Sequence, residues 1–310
     1  VRHLYFVGVS TTRSSIVTIF PAWAKVLGLD AELRGLDVPL HAPPEQLRAA
    51  VDTVRTDPDI AGALVTTHKA GVYDVAGTWF DELDDAAKLC HEVSCIAVRS
   101  GRLLGWAKDP ITSRQAYTQL LGPEPWRDGV ADVVCLGAGG AGLALLVAVL
   151  GETHQPRRLL LTDRDAGRLE LAREVAARLP GRVELELHHT TAAEHSDEVV
   201  ASAAPGSLVV NATGMGKDSP GSPVSDAVVF PRGAVAWDMN YRGELDFLRQ
   251  ARAQEWERGL TVADGWRYFL HGWTEVISEV FDVPLDATLF AQLAEVAATA
   301  TGRNVAGNAT

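Results

Sequence analysis

Val133-Val134-Cys135-Leu136-Gly137-Ala138-Gly139-Gly140-Ala141-Gly142 joins an apolar strand to an apolar helix through a mid-chain glycine loop. Residues 131–136 read as a buried strand and 141–150 as a helix without charge. A second strand, 158–162, ends at Asp163. Together they make a βαβ unit. A strand that ends in G-x-G-x-x-G and opens into a helix offers bare backbone N–H groups and the positive helix end to a pyrophosphate. Asp163 lies 21 residues after Gly142, near the spacing of about 20 at which an acidic side chain meets an adenosine ribose. Gly137, Gly139, Gly140, Ala141 and Gly142, with Asp163, therefore predict a dinucleotide site. Glycine-rich turns also occur in α/β proteins that bind nothing, so the strand–loop–helix–strand context carries the prediction.

A loop at this position implies a separate domain before it. At 310 residues, 47% hydrophobic and 22% charged, the chain is long enough for two domains with full cores. No apolar run approaches the roughly 20 residues of a membrane span, and Val1-Arg2-His3-Leu4-Tyr5-Phe6 reads as a strand, which makes a cytoplasmic location the expectation. Cys90, Cys95 and Cys135 are odd in number and set in apolar surroundings, the pattern of reduced core thiols, and no metal site is expected. The net charge of −12 disfavours nucleic acid and anionic membrane as partners. Anionic small molecules remain compatible, because local N–H groups and single basic residues bind them.

Before the loop, strand-like runs at 4–9, 32–38 and 60–65 alternate with helical stretches at 14–27 and 44–54. Residues 93–98 and 103–106 flank Arg99-Ser100-Gly101-Arg102 and read as a hairpin, so the first sheet is expected to be mixed. A boundary is expected in the helix 110–121 or in Gly122-Pro123-Glu124-Pro125. Further strands at 183–189, 208–210 and 234–239 complete a doubly wound sheet. Helices at 265–281 and 287–300 have no strand after them and are expected to pack back on the first domain. The polar end, 304–310, reads as disordered. The fold class is thus α/β: a substrate domain with a mixed sheet (1–112 with 266–310), a Rossmann-type domain (113–265), and a cleft between them.

Lys69 follows a strand directly in Leu64-Val65-Thr66-Thr67-His68-Lys69, where a lone lysine is ordinarily a surface cation. Asp109, in Gly105-Trp106-Ala107-Lys108-Asp109-Pro110, stands before a helix, where a capping role is the plain explanation. The order of features, however, resembles the shikimate dehydrogenase family with its quinate dehydrogenase relatives, nearly end to end. The family's N-V-T-V-P-F-K reads here Ala63 to Lys69, its G-A-V-N-T segment Glu92-Val93-Ser94-Cys95, and its D-N-T-D-G segment Trp106 to Pro110. N-A-T-x-x-G-M reads Asn211-Ala212-Thr213-Gly214-Met215-Gly216-Lys217, D-M-x-Y-x-P reads Asp238-Met239-Asn240-Tyr241-Arg242-Gly243, and D-G-x-x-M-L reads Asp264-Gly265-Trp266-Arg267-Tyr268-Phe269.

The resemblance implies hydride transfer between a nicotinamide ring and a ring hydroxyl, with Lys69 and Asp109 as the catalytic pair. An amine held near a carboxylate can take the hydroxyl proton as hydride leaves and return it in reduction. It also implies that Asn211, Thr213 and Met239 help bind the cofactor, that Tyr241 lies near the nicotinamide, and that Ser14 holds the substrate carboxylate. The departures fall on the substrate side. Ile16 stands where the family has a second serine, and Ala63, Val65 and Ser94 replace Asn, Thr and Asn. His271 or Gly272 takes the place of a glutamine. Losing those partners leaves a shikimate hydroxyl unpaired, at about 1 to 3 kcal/mol per buried polar group, so shikimate is expected to be a poor substrate. Trp106, Trp266, Tyr268 and His68 add bulk at matched motifs, either as core or as pocket wall.

The family's NADP users carry N-R-T where this chain reads Asp163-Arg164-Asp165. A carboxylate accepts from both ribose hydroxyls and repels a 2′-phosphate, so NAD is expected over NADP, with Arg164 the residue that argues the other way. The expectation is an NAD-dependent dehydrogenase of a cyclic hydroxy acid other than shikimate. The alternatives are a non-catalytic sensor of the same fold and a dehydrogenase of an aminated or otherwise modified ring in a specialised pathway. A homodimer is one option for its assembly.

Overall fold

In a computed structural model, residues 1–303 are described; the polar end 304–310 lies outside the described residues. The chain divides into two compact units, one of Val1–Lys108 with the chain from Leu270 onward, the other of Asp109–Phe269.

The first unit carries β1 (Arg2–Gly8), α1 (Ile16–Leu27), β2 (Ala31–Asp37), α2 (Pro44–Thr56), β3 (Ile60–Val65), α3 (Lys69–Ala76), β4 (Glu82–Leu83), α4 (Asp85–Cys90), β5 (Cys95–Arg99) and β6 (Arg102–Trp106). Its sheet runs β2-β1-β3-β5-β6-β4. β1 is parallel to β2 and β3, whereas β5 is antiparallel to both β3 and β6, so the sheet is mixed as the hairpin implied. All six residues of β3 are buried, which is why the segment reads as a continuous apolar run rather than an alternating one.

The second unit begins with α5 (Asp109–Leu121) and continues through β7 (Val133–Leu136), α6 (Gly140–Leu150), β8 (Arg158–Asp163), α7 (Ala166–Ala177), β9 (Glu184–His189), α8 (Ala193–Ser202), β10 (Leu208–Asn211), β11 (Val235–Asp238), α9 (Asp246–Arg252), α10 (Glu255–Arg258) and β12 (Thr261–Ala263). The sheet order β12-β11-β10-β7-β8-β9 is parallel throughout. This is the doubly wound arrangement, whose order reverses between β7 and β10; ligands of such sheets bind at the carboxyl ends of the strands at that point. The glycine loop follows β7 there.

α11 (Trp266–Phe281) contains the second division point, and α12 (Ala287–Thr301) closes the described chain. α12 packs on α1 in the first unit, where the Trp23 indole donates to the Leu293 carbonyl at 2.7 Å. The first division falls at the head of α5, not within that helix or in 122–125. The reason is packing: Tyr117 of α5 is fully buried, donates its hydroxyl to Glu152 Oε1 at 2.7 Å and lies 5.1 Å from the Trp126 ring, so the whole helix belongs to the second core. The three cysteines are buried and free. No helix of the described residues is long and apolar enough to cross a membrane.

Candidate active site

In the first unit the sequence-predicted residues gather at one end of the sheet. Ser14 follows β1 after a 3-10 turn at Thr11–Arg13, and Lys69 opens α3 after β3. Ser94 precedes β5 and so reaches the same end, because β5 runs opposite to β3. Backbone bonds knit this edge: Val65 N–H donates to Ser94 O, Thr66 N–H to Val7 O, and Val93 N–H to Lys69 O. Ser14 is buried, with its N–H on Thr11 O. The Ser94 hydroxyl accepts from Lys108 N–H at 2.7 Å, and so fixes the chain where it leaves β6.

Three of the altered substrate positions are core. Ile16 is fully buried in the first turn of α1, and Ala63 and Val65 are fully buried in a cluster with Val7, Val38, Val72 and Ile96. His68 is pinned to Val38 O through Nε2 at 2.7 Å, and the His271 ring stacks on Phe290 at 4.0 Å. Two cations lie over the Trp106 ring, the Arg99 guanidinium 5.5 Å and the Lys108 ammonium 5.8 Å from its centre. Lys108 Nζ also donates to Glu279 Oε2 at 2.7 Å.

In the second unit the glycine loop has the geometry of a close backbone cradle. Gly137 takes φ +108°, and a Cβ there would fall 2.8 Å from Thr213 Cγ2. A Cβ on Gly142 would run into the Gly137 carbonyl oxygen. The loop is thereby held against the turn after β10, at the switch point. Gly139 caps α6, while Gly140 and Ala141 form its first turn. Asp163 ends β8 and is tied to the loop: Oδ2 accepts Ala138 N–H at 2.7 Å and Oδ1 accepts Asp165 N–H at 2.9 Å. A carboxylate has about four acceptor positions, so these two bonds orient it without saturating it.

Asp165, read in the sequence together with Asp163, instead caps α7 by accepting from Gly167 N–H at 2.8 Å. Arg164 is exposed and offers its carbonyl to His189. A cation beside the loop is one that the sequence reading missed: Arg168 Nη1 stands 3.9 Å from Asp163 Oδ2, and a Cβ on Gly139 would lie 3.7 Å from the same nitrogen. Its signal was its place in the first turn after Asp165.

A buried network joins the ends of β10 and β11. Asn211 Oδ1 accepts from the Thr213 N–H and hydroxyl, its amide donates to Asp238 Oδ2, and Asn240 donates to Asp238 Oδ1 and Thr213 O. Burial pushes the Asp238 carboxyl up to about 6, although hydrogen bonds from Asn240 and Asn211 pull the other way. Met239 and Tyr241 follow, both buried, with the Tyr241 ring tilted against Phe269 at 4.4 Å and against Trp266 at 5.5 Å. Asp109, buried at the head of α5, accepts from the Tyr268 hydroxyl at 3.0 Å. Sequence reading gave Tyr268 only as bulk; the bond joins positions 159 apart, beyond the reach of any local pattern.

No family model matches the chain. A shikimate dehydrogenase (NADP(+)) of Streptococcus gordonii is 30% identical over 223 residues, covering 71% of this chain and 72% of the relative. A shikimate dehydrogenase (NADP(+)) of Symbiobacterium thermophilum is 31% identical over 253 residues, covering 79% and 76%. The chain belongs to the shikimate dehydrogenase family. It is an oxidoreductase of the shikimate dehydrogenase type. The fold agrees with solved members. Shikimate dehydrogenase from Aquifex aeolicus superposes with a TM-score of 0.72 at 21% identity, over 94% of this chain and 97% of that one. Quinate dehydrogenase from Corynebacterium glutamicum in complex with NAD gives 0.71 at 22%, over 94% and 98%. Within this shikimate dehydrogenase fold, the glycine loop and Asp163 lie in the second unit, and positions 16, 63 and 65 fall in the first.

Proposed function

We propose that the protein is an NAD-dependent dehydrogenase that moves hydride between nicotinamide and a hydroxyl or keto group of a cyclic hydroxy acid other than shikimate. The observation that carries the cofactor is the Asp163 carboxylate, fixed to the glycine loop through Ala138 N–H. Held there, it accepts from ribose hydroxyls and repels a 2′-phosphate. When bound, the cofactor supplies the hydride acceptor or donor. Lys69 takes the proton of the substrate hydroxyl in oxidation and returns it in reduction, Asp109 accepts from a ring hydroxyl, and Ser14 binds the carboxylate. The nonpolar side chains at 16, 63 and 65 give a shikimate hydroxyl no partner.

A panel of cyclic alcohols that includes shikimate and quinate, assayed with NAD and with NADP by absorbance of the reduced cofactor, tests the reading. We expect turnover of one cyclic acid with NAD, at least about tenfold less with NADP, and little with shikimate. Lys69→Ala is expected to abolish turnover and leave NAD binding unchanged; full activity in that variant would overturn the assignment. Arg168, exposed beside Asp163, favours the second reading, in which a 2′-phosphate is accepted. Equal kcat/KM for both cofactors would support it.

A further inference from the structure

We propose that Tyr268 is a positioning residue for Asp109, helping through a hydrogen bond to Oδ2 to hold the direction in which that carboxylate faces the reacting hydroxyl. The inference rests on the role of Asp109 given above. Asp109 opens α5 and Tyr268 lies in the first turn of α11, and the phenol donates to Asp109 Oδ2 at 3.0 Å. The donor is itself held. The Tyr268 ring packs edge-on against Trp237 of β11, with centroids 5.9 Å apart and planes at 80°, and Trp237 is buried. A phenol has two side-chain torsions, so a wall on its ring leaves the hydroxyl little freedom.

A carboxylate at a helix head can swing about its own torsion, and each orientation points its lone pairs differently. A bond to Oδ2 selects one orientation, and a hydroxyl donating to an anion makes a charge-assisted bond, roughly twice as strong as a neutral one. The place of Tyr268 in D-G-x-x-M-L belongs to methionine, which donates no hydrogen bond. The device is therefore a feature of this chain and not of the motif it occupies. Reacting groups tolerate little misplacement, since about 1 Å can cost 10²-fold in rate.

The test compares the parent protein with Tyr268→Phe, Asp109→Asn and the double variant, using the best-oxidised cyclic alcohol of the panel with NAD. Tyr268→Phe keeps the ring on Trp237 and removes only the donor. We expect kcat to fall about 10- to 100-fold with KM for NAD unchanged. Crystals of the variant should show the Asp109 carboxylate turned from its parent orientation. Any activity left in Asp109→Asn should be insensitive to the second change. Full activity in Asp109→Asn would overturn the catalytic reading itself. An inactive Asp109→Asn beside a Tyr268→Phe with parental kcat would overturn the positioning role alone. So would a lower kcat with an unturned Asp109 carboxylate and a lower Tm, which marks a merely structural residue. If the parent oxidises no alcohol of the panel, the crystals decide, and an unturned Asp109 in Tyr268→Phe overturns the proposal.

Discussion

A hydroxyl placed at residue 65 would enter a cluster of Val7, Val38, Val72 and Ile96 in which no atom of Val65 meets water. Val65→Thr changes shape little but buries a polar group, and we expect it to cost about 1–3 kcal/mol, read as a lower urea midpoint at unchanged m-value. Restoring the family's threonine is thus expected to lose stability before it gains any hold on shikimate. Asp238 behaves in the opposite sense to an ordinary paired carboxylate. Its folded-state value is raised to about 6, so protonation favours the folded state, and the cost of burying the charge grows as pH rises from about 4 through 6. Asp238→Asn removes that titration. The Tm difference, variant minus parent, should therefore become more favourable to the variant between pH 4.5 and pH 7, whatever its constant offset from altered hydrogen bonding. A difference independent of pH would contradict the buried charge.

Among the elements, legibility followed length and continuity. β3 was readable residue for residue because six consecutive buried positions leave no alternation to misjudge, and the hairpin was readable from its Ser100-Gly101 turn. β4 and β12, of two and three residues, are too short to express any period. The boundary expected within α5 or at 122–125 was read from flanking glycine and prolines, whereas the contacts divide the chain at the head of α5, which the buried Tyr117 commits to the second core. The site divided along the same line. Lys69 and Asp109 stand at helix heads after strands, where order along the chain suffices, whereas Arg168 and Tyr268 owe their places to spatial neighbours. The glycine loop supplies a prediction for its element: Gly142→Ala drives a Cβ into the Gly137 carbonyl, so the loop must open away from β7. NAD affinity should fall at least about tenfold by calorimetric titration.

For the whole molecule, a ligand that binds only the folded protein adds RT ln(1 + [L]/Kd), about 2.7 kcal/mol at a hundred times its dissociation constant. NAD is expected to raise the Tm more than NADP at equal concentration, a measurement that needs no substrate. The division of the chain has a further consequence, for synthesis. The second unit is continuous, Asp109–Phe269, whereas the first is assembled from the two ends of the described chain. Trp23 finds its acceptor at Leu293, 270 positions later. At about 5–20 residues per second, the ribosome adds those residues in roughly 10–50 s. Throughout that interval the face of α1 that α12 will cover has no partner, while the nucleotide-binding type of sheet can already close. Of these two helices the earlier made is the later finished, its face covered only when α12 arrives.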